Sequence, residues 1–236
     1  SPTAIAHLEY DIAALPPPPS GAWTRFVCTS DTHCRTFPVP PGDVLLHSGD
    51  LTNTGTLADF RGTLEWIRAQ PHALKIIIAG NHDLPLHEEW YAENYGRWHS
   101  EPEAKIIELL KGPGKRASDE PNVSDSGLVY LQDQSYVFQT REGGRRWSIY
   151  GSPWQPEFCN WAFNYERDKT GEDIVKRIPK TDILLTHGPP FDILDATLRG
   201  QPVGCEALRA HVPKLRPRLH LFGHIHEARG AEMYTW

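Results

Sequence analysis

The feature that most constrains this chain is an apolar run, Leu74-Lys75-Ile76-Ile77-Ile78-Ala79, halted by Gly80-Asn81-His82-Asp83. A short run of this kind between turn signals reads as a buried strand. Glycine breaks the strand and sets an amide, an imidazole and a carboxylate at its C-terminal end. In open α/β sheets that end is where ligands bind. The same design recurs along the chain. A strand at 25–30 runs into Asp31-Thr32-His33, and one at 43–47 ends in Ser48-Gly49-Asp50. A strand at 182–186 ends in His187-Gly188-Pro189-Pro190, and one at 218–222 ends in Gly223-His224-Ile225-His226. Between the second and third strands, Thr56 can cap a helix with Leu57, Phe60, Leu64 and Ile67 at helical spacing. Strand, helix and strand in that order predict a parallel sheet.

The remaining segments are less regular. Residues 1–24, with Pro16-Pro17-Pro18-Pro19, read as a proline-rich N-terminal extension, and 25–236 as the domain. Residues 86–111 read as two helical pieces split near Pro102, and 112–127 as an exposed loop. The short alternating stretches 128–131, 135–139 and 147–150 predict a β meander and a second sheet. Short helices are expected near 171–177 and 204–212. The 236 residues are 39% apolar and 23% charged, enough for a real core.

A net charge of −6 argues against a nucleic-acid face, which needs clustered Lys and Arg. The sequence has no apolar run long enough to span a membrane and no signal peptide pattern. Cys28, Cys34, Cys159 and Cys205 match no zinc ribbon or redox pair. They read as buried free thiols of a reducing, cytoplasmic compartment.

Five strands therefore end in Asp31/His33, Asp50, Asn81/His82, His187 and His224/His226. Each taken alone has an ordinary reading. Asp50 after a glycine suits a helix N-cap, and His224 and His226 can simply flank a core Ile225. Together they are oxygen and imidazole donors suited to divalent first-row cations. Even seven ligands from these eight residues are too many for one tetrahedral ion and suit two ions sharing a carboxylate, with solvent at the remaining positions.

This ordered set, Asp-x-His, Gly-Asp, Gly-Asn-His-Asp, His and Gly-His-x-His, resembles the calcineurin-like metallophosphoesterase superfamily over residues 25–226. Ser-Asp-Thr-His at 30–33, Ile-Ala-Gly-Asn-His at 78–82, Tyr-Gly-Ser-Pro-Trp at 150–154, Thr-His-Gly-Pro-Pro at 186–190 and Val-Gly-Cys at 203–205 are similar to its metallophosphoesterase-domain-containing branch. The resemblance implies an α/β (α+β) fold, a two-sheet β-sandwich flanked by helices. It also implies hydrolysis of phosphoesters, often phosphodiesters such as cyclic nucleotides. It assigns Asp31, His33 and His226 to one metal, Asn81, His187 and His224 to the other, and Asp50 to the bridge. His82 becomes the catalytic residue beside the metals, with Asp83 fixing its ring. Some animal members of the branch replace the first His of the final motif by Gly. This chain keeps His224, which implies a complete second site. The chain stops ten residues after His226, where the family usually continues through further strands, and the last strand is expected to be the less stable for it.

The implied cofactors are two divalent ions (Mn, Fe, Zn or Mg, with Mn favoured), and the implied partner is a small phosphoester. No nucleic-acid polymer, membrane or obligate protein partner is expected. Paired cations activate water for in-line attack on phosphorus, and His82 protonates the leaving oxygen or stabilises developing charge. Arg35 is either a solvated charge or a phosphate contact. Trp154 and Trp161 are either core or a wall for the substrate. The competing functions are a phosphomonoesterase or protein phosphatase of the same superfamily and a catalytically silent scaffold. Protein phosphatases place Asp-Arg-Gly soon after Gly-Asp, and no such Arg occurs in residues 49–55. The complete ligand set argues against the scaffold.

Overall fold

The computed structural model describes residues 4–103 and 105–235. Strands β1 (Phe26–Thr29), β2 (Val44–Ser48), β3 (Leu74–Ile78) and β4 (Leu128–Tyr130) form one parallel sheet in that order. Strands β5 (Gln134–Gln139) and β6 (Arg146–Ser152) form an antiparallel hairpin. The short β7 (Gln155–Pro156) and β8 (Asn164–Tyr165) pair with each other. Strands β9 (Ile183–Thr186) and β10 (Leu219–Leu221) run parallel to β6, so the second sheet has the order β10-β9-β6-β5.

Side chains alternate across each strand, and both faces of each sheet are covered. Between the sheets, Val44, Leu46, Ile76, Ile78, Val129 and Leu131 meet Phe138, Ile149, Ile183 and Leu185. On the outer face of the first sheet, Leu45, Ile77 and Tyr130 pack with helices α1 (Leu57–Arg68), α2 (Glu88–Asn94) and α3 (Ile106–Lys111) through Phe60, Tyr91 and Leu110. On the outer face of the second, Tyr150 and Leu184 pack with α4 (Lys169–Lys176) and α5 (Glu206–Leu215) through Ile174 and Leu208. This layering explains why the run at 74–79 is nearly all apolar: a strand in a parallel sheet has no solvent face. The exception, Lys75, carries its ammonium out to the Ser126 carbonyl at 2.8 Å.

Polar ties cross the sandwich where the strands end. Ser48 Oγ stands 2.6 Å from the Thr186 carbonyl and 3.1 Å from that of Leu221, joining β2 to β9 and β10. The C-terminal ends of the parallel strands in both sheets are thereby held at one edge. Every histidine and carboxylate singled out in the motifs lies just beyond that edge.

One expectation needs correction. The stretch 128–131 does not belong to a meander, because β4 pairs parallel with β3 in the first sheet. Leu128, Val129 and Tyr130 are all buried, the pattern of a strand covered on both faces. Residues 86–111 are helical in two pieces, as expected: the turns stop at Arg97 and resume at Ile106, with Pro102 in the gap and 3-10 turns at Leu84–Leu86 and Tyr95–Arg97 flanking α2.

Residues 4–24 carry one 3-10 turn, Ile12–Ala14, and are tied to the body by Arg25 to the Pro16 carbonyl and Arg229 to the Leu8 carbonyl. All four cysteines are free, but only Cys205 is buried. Cys28 is exposed on edge strand β1 and Cys159 on a turn. No helix among the described residues is long and apolar enough to cross a membrane.

Candidate metal centre

Each strand end turns sharply to present its side chains. Asp31, His33, Asp50 and His224 all adopt left-handed backbone, with φ of 52°, 45°, 53° and 71°. Such angles are uncommon outside glycine and concentrate at functional sites. Glycines supply the room. A Cβ on Gly80 would collide with the Asp50 carboxylate and lie 2.6 Å from the His187 ring, and one on Gly223 would collide with Ser30 and Asp31.

Two groups of donors result. In the first, Asp31, His33, Asp50 and His226 converge, and in the second Asp50, His187 and His224, with donor atoms in each group within 4.8 Å of one another. Asp50 belongs to both. Its Oδ2 stands 3.7 Å from His33 Nε2 and 3.5 Å from His187 Nε2, while Oδ1 accepts the His82 backbone N–H at 2.8 Å. Asn81 joins the second group, with Oδ1 2.9 Å from His187 Nε2. In the first group His33 and His226 bring their Nε2 atoms 3.2 Å apart, and His226 Nε2 is also 3.2 Å from Asp31 Oδ1.

The donor set and its charges suit a cation. His187 Nδ1 lies 2.9 Å from the Ser48 carbonyl, which can only accept, so that nitrogen carries a proton and Nε2 is the nitrogen facing Asn81 and Asp50. Burial alone favours the neutral ring, but the facing Asp50 charge outweighs it and lifts the pKa to about 9. Burial likewise opposes charge on Asp50, and His187 outweighs it, holding the carboxyl below the usual carboxylate range. His187 and Asp50 thus face each other among buried oxygen and imidazole donors, the natural ligands of a divalent ion. His33 and His226 raise the same point, since two imidazole nitrogens meet at this distance only over a proton or a metal. Burial pushes His224 down to about 4, aided by the positive His187, which keeps its ring in the neutral, ligating form.

His82 stands beside the first group, its ring edge-on to His33 at 4.6 Å between centroids. Its Nδ1 donates to the Asn53 carbonyl at 2.7 Å, which leaves Nε2 as the working nitrogen. Here the structure differs from expectation. The expected orienter, Asp83, makes its bonds elsewhere. Its fully buried carboxylate accepts from Leu51 N, Thr52 N, Thr52 Oγ1 and Gly80 N at 2.8–3.1 Å. Asp83 therefore ties the Asp50 turn to the Asn81 turn, and a backbone carbonyl fixes the His82 ring. Burial and the nearby Asp50 push Asp83 up to about 7 against the pull of these donors. Replacing Asp83 by Ala leaves three buried backbone N–H groups unpaired. We expect a loss of at least roughly 3 kcal/mol in folding stability, read from the denaturant midpoint, because each orphaned group costs about 1–3 kcal/mol.

The three residues considered for substrate contact separate. Trp161 lies over His82, with ring centroids 4.2 Å apart. Trp154 donates its indole N–H to Asp133 at 2.7 Å and packs with His87 and Phe163. It touches neither donor group. Arg35 is exposed on the turn closed by its own N–H to the Thr32 carbonyl. Sequence reasoning passed over Phe158, whose exposed ring stands edge-on to His224 at 5.9 Å, and Asn53, whose role rests on a backbone atom. Elsewhere His72 is buried, and His87 stacks on Phe163 at 4.7 Å while its Nδ1 accepts the Phe163 N–H. His47 and His220 are bonded to Thr32 and Thr186.

Comparison with known proteins sets this geometry in context. The family model described as calcineurin-like phosphoesterase matches residues 24–228. Metallophosphoesterase domain-containing protein 1 of Homo sapiens is 40% identical over 222 residues, covering 91% of this chain and 64% of that protein. The chain thus spans just under two thirds of that relative's length. A probable rhamnogalacturonate lyase C of Emericella nidulans is 36% identical over 215 residues, 90% of this chain but only 18% of that protein. A UPF0046 protein of Caenorhabditis elegans is 33% identical over 216 residues, covering 87% of this chain and 52% of that protein. A solved crystal structure aligns with a TM-score of 0.51 at 12% identity, over 85% of this chain and 83% of that one, which shows a shared fold.

Proposed function

The chain belongs to the calcineurin-like phosphoesterase family, and from that premise we propose that it is a dinuclear metal-dependent phosphodiesterase acting on cyclic nucleotides or related small phosphodiesters. The observation that carries this reading is Asp50, one buried carboxylate shared by two donor groups. Asp31, His33 and His226 with Asp50 would hold one ion, and Asn81, His187 and His224 with Asp50 the other. Two divalent ions, when bound, supply positive charge for the phosphoryl oxygens and lower the pKa of water at the site. The chain supplies the rest. The Ser48 carbonyl orients the His187 imidazole through its Nδ1. His82, its Nδ1–H held by the Asn53 carbonyl, gives a proton to the leaving oxygen from Nε2 when its ring is the doubly protonated imidazolium.

Mn²⁺ is our preferred ion, since oxygen and imidazole donors without thiolate suit it. The partner is a small phosphoester rather than a nucleic-acid polymer, a reading supported by the net charge of −6. Four unpaired cysteines support a cytoplasmic setting. Elemental analysis and turnover of bis(p-nitrophenyl) phosphate test the proposal together. Two ions per chain are expected, with turnover abolished by chelation and restored by Mn²⁺. Full turnover in a metal-free sample would sink the reading, and two ions without turnover of any phosphoester would favour the scaffold.

A further inference from the structure

Resting on that phosphodiesterase reading, we propose that Phe158 and Trp161 are the specificity-determining residues of this site and that they select phosphoesters carrying a nucleobase. They lie on one turn, between β7 and β8, that overhangs both donor groups. Phe158 stands beside His224 of the second group. Trp161 lies over His82, whose ring meets His33 of the first. One aromatic ring thus flanks each end of the pair. Phe158 is 58% exposed, a large apolar surface facing water beside the half-buried His224. A substrate whose phosphate sits on the donors has its flat ring within reach of these two.

The turn is built to hold this pose. Cys159 and Asn160 are both left-handed, with φ of 54° and 49°. Residues in that region persist only where their surroundings over-determine them. Arg97 does so, donating to the Asn160 carbonyl at 3.1 Å and the Cys159 carbonyl at 3.4 Å. Its guanidinium also lies 4.6 Å from the centre of the Trp98 ring, and Trp98 packs against Trp161 at 5.3 Å. From the other side Asn164 donates to the Phe158 carbonyl at 3.1 Å, and Gln155 holds Asn164 at 2.7 Å. Both ends of the turn are fixed, with Phe158 at its surface and Trp161 half-buried, packed against the core on one side and His82 on another. Trp154, by contrast, is committed to Asp133.

Calorimetric titration of the Mn²⁺-loaded chain with adenosine 5′-monophosphate and with ribose 5-phosphate isolates the base. Stacking one base predicts tighter binding of the nucleotide by about 5- to 150-fold. In Phe158→Ala and in Trp161→Ala that ratio should fall towards one. Because Phe158 is so exposed, Phe158→Ala should melt close to the parent, so its ratio reads recognition rather than folding. A parent ratio near one, or a Phe158→Ala variant that keeps the parent's ratio, overturns the proposal. Turnover does not enter this titration. An inactive chain that still prefers the nucleotide would sink the phosphodiesterase reading and keep the two rings as a base site. An active chain with a ratio of one would sink the base site alone.

Discussion

Asp50→Asn is expected to lose metal far more completely than Asn81→Ala. Asp50 alone belongs to both donor groups, whereas Asn81 meets only His187 and carries no charge. Two unit charges about 4 Å apart repel by roughly 4 kcal/mol at an effective dielectric of about 20, and two dications by about four times that. Removing the carboxylate between them leaves that repulsion unrelieved. We expect metal affinity to fall by more than about 100-fold, since even residues that only orient ligands cost about 10–100-fold when removed. Turnover should fall below detection. The fold should survive, because Asn keeps an oxygen for the His82 backbone N–H that Asp50 Oδ1 now accepts. Metal titration of both variants decides the matter. Equal or better retention in Asp50→Asn contradicts the shared carboxylate.

His82→Ala should lower kcat by about 10²–10⁴-fold, the usual worth of general acid–base assistance, with two ions still bound per chain. The basis is the split between His82 and its neighbour. Asn81 turns inward to His187, while His82 anchors Nδ1 on Asn53 and stands at the edge of the first group. The loss should shrink for p-nitrophenol as leaving group, which needs little protonation. Loss of metal together with activity makes His82 a ligand and removes its assigned role.

Much of this centre was legible because the chain announces it locally. A buried parallel strand is apolar, a glycine marks the stop before Asp50, Asn81 and His224, and polar Ser30 and Thr186 mark it before Asp31 and His187, so all five were readable as strand-end residues. What remained hidden depends on partners distant in sequence. The run at 128–130 has the pattern of any covered strand, and only its pairing of Leu128 with Lys75 places it in the first sheet. Asp83 looked like the orienter of His82 because the two are adjacent. On so tight a turn adjacent side chains diverge, and Asp83 bonds Leu51, Thr52 and Gly80 instead. Trp154 and Trp161 sit in one irregular, aromatic stretch that no periodicity resolves. Asp133 draws the first away, and His82 and Trp98 hold the second at the site.

Anomalous diffraction at the manganese edge, from crystals equilibrated with Mn²⁺, locates the ions against the shared carboxylate. Two peaks per chain are expected, one against Asp31, His33 and His226, the other against Asn81, His187 and His224, with the Asp50 carboxylate bonded to both. A single peak, or two peaks with Asp50 bonded to only one, would contradict it.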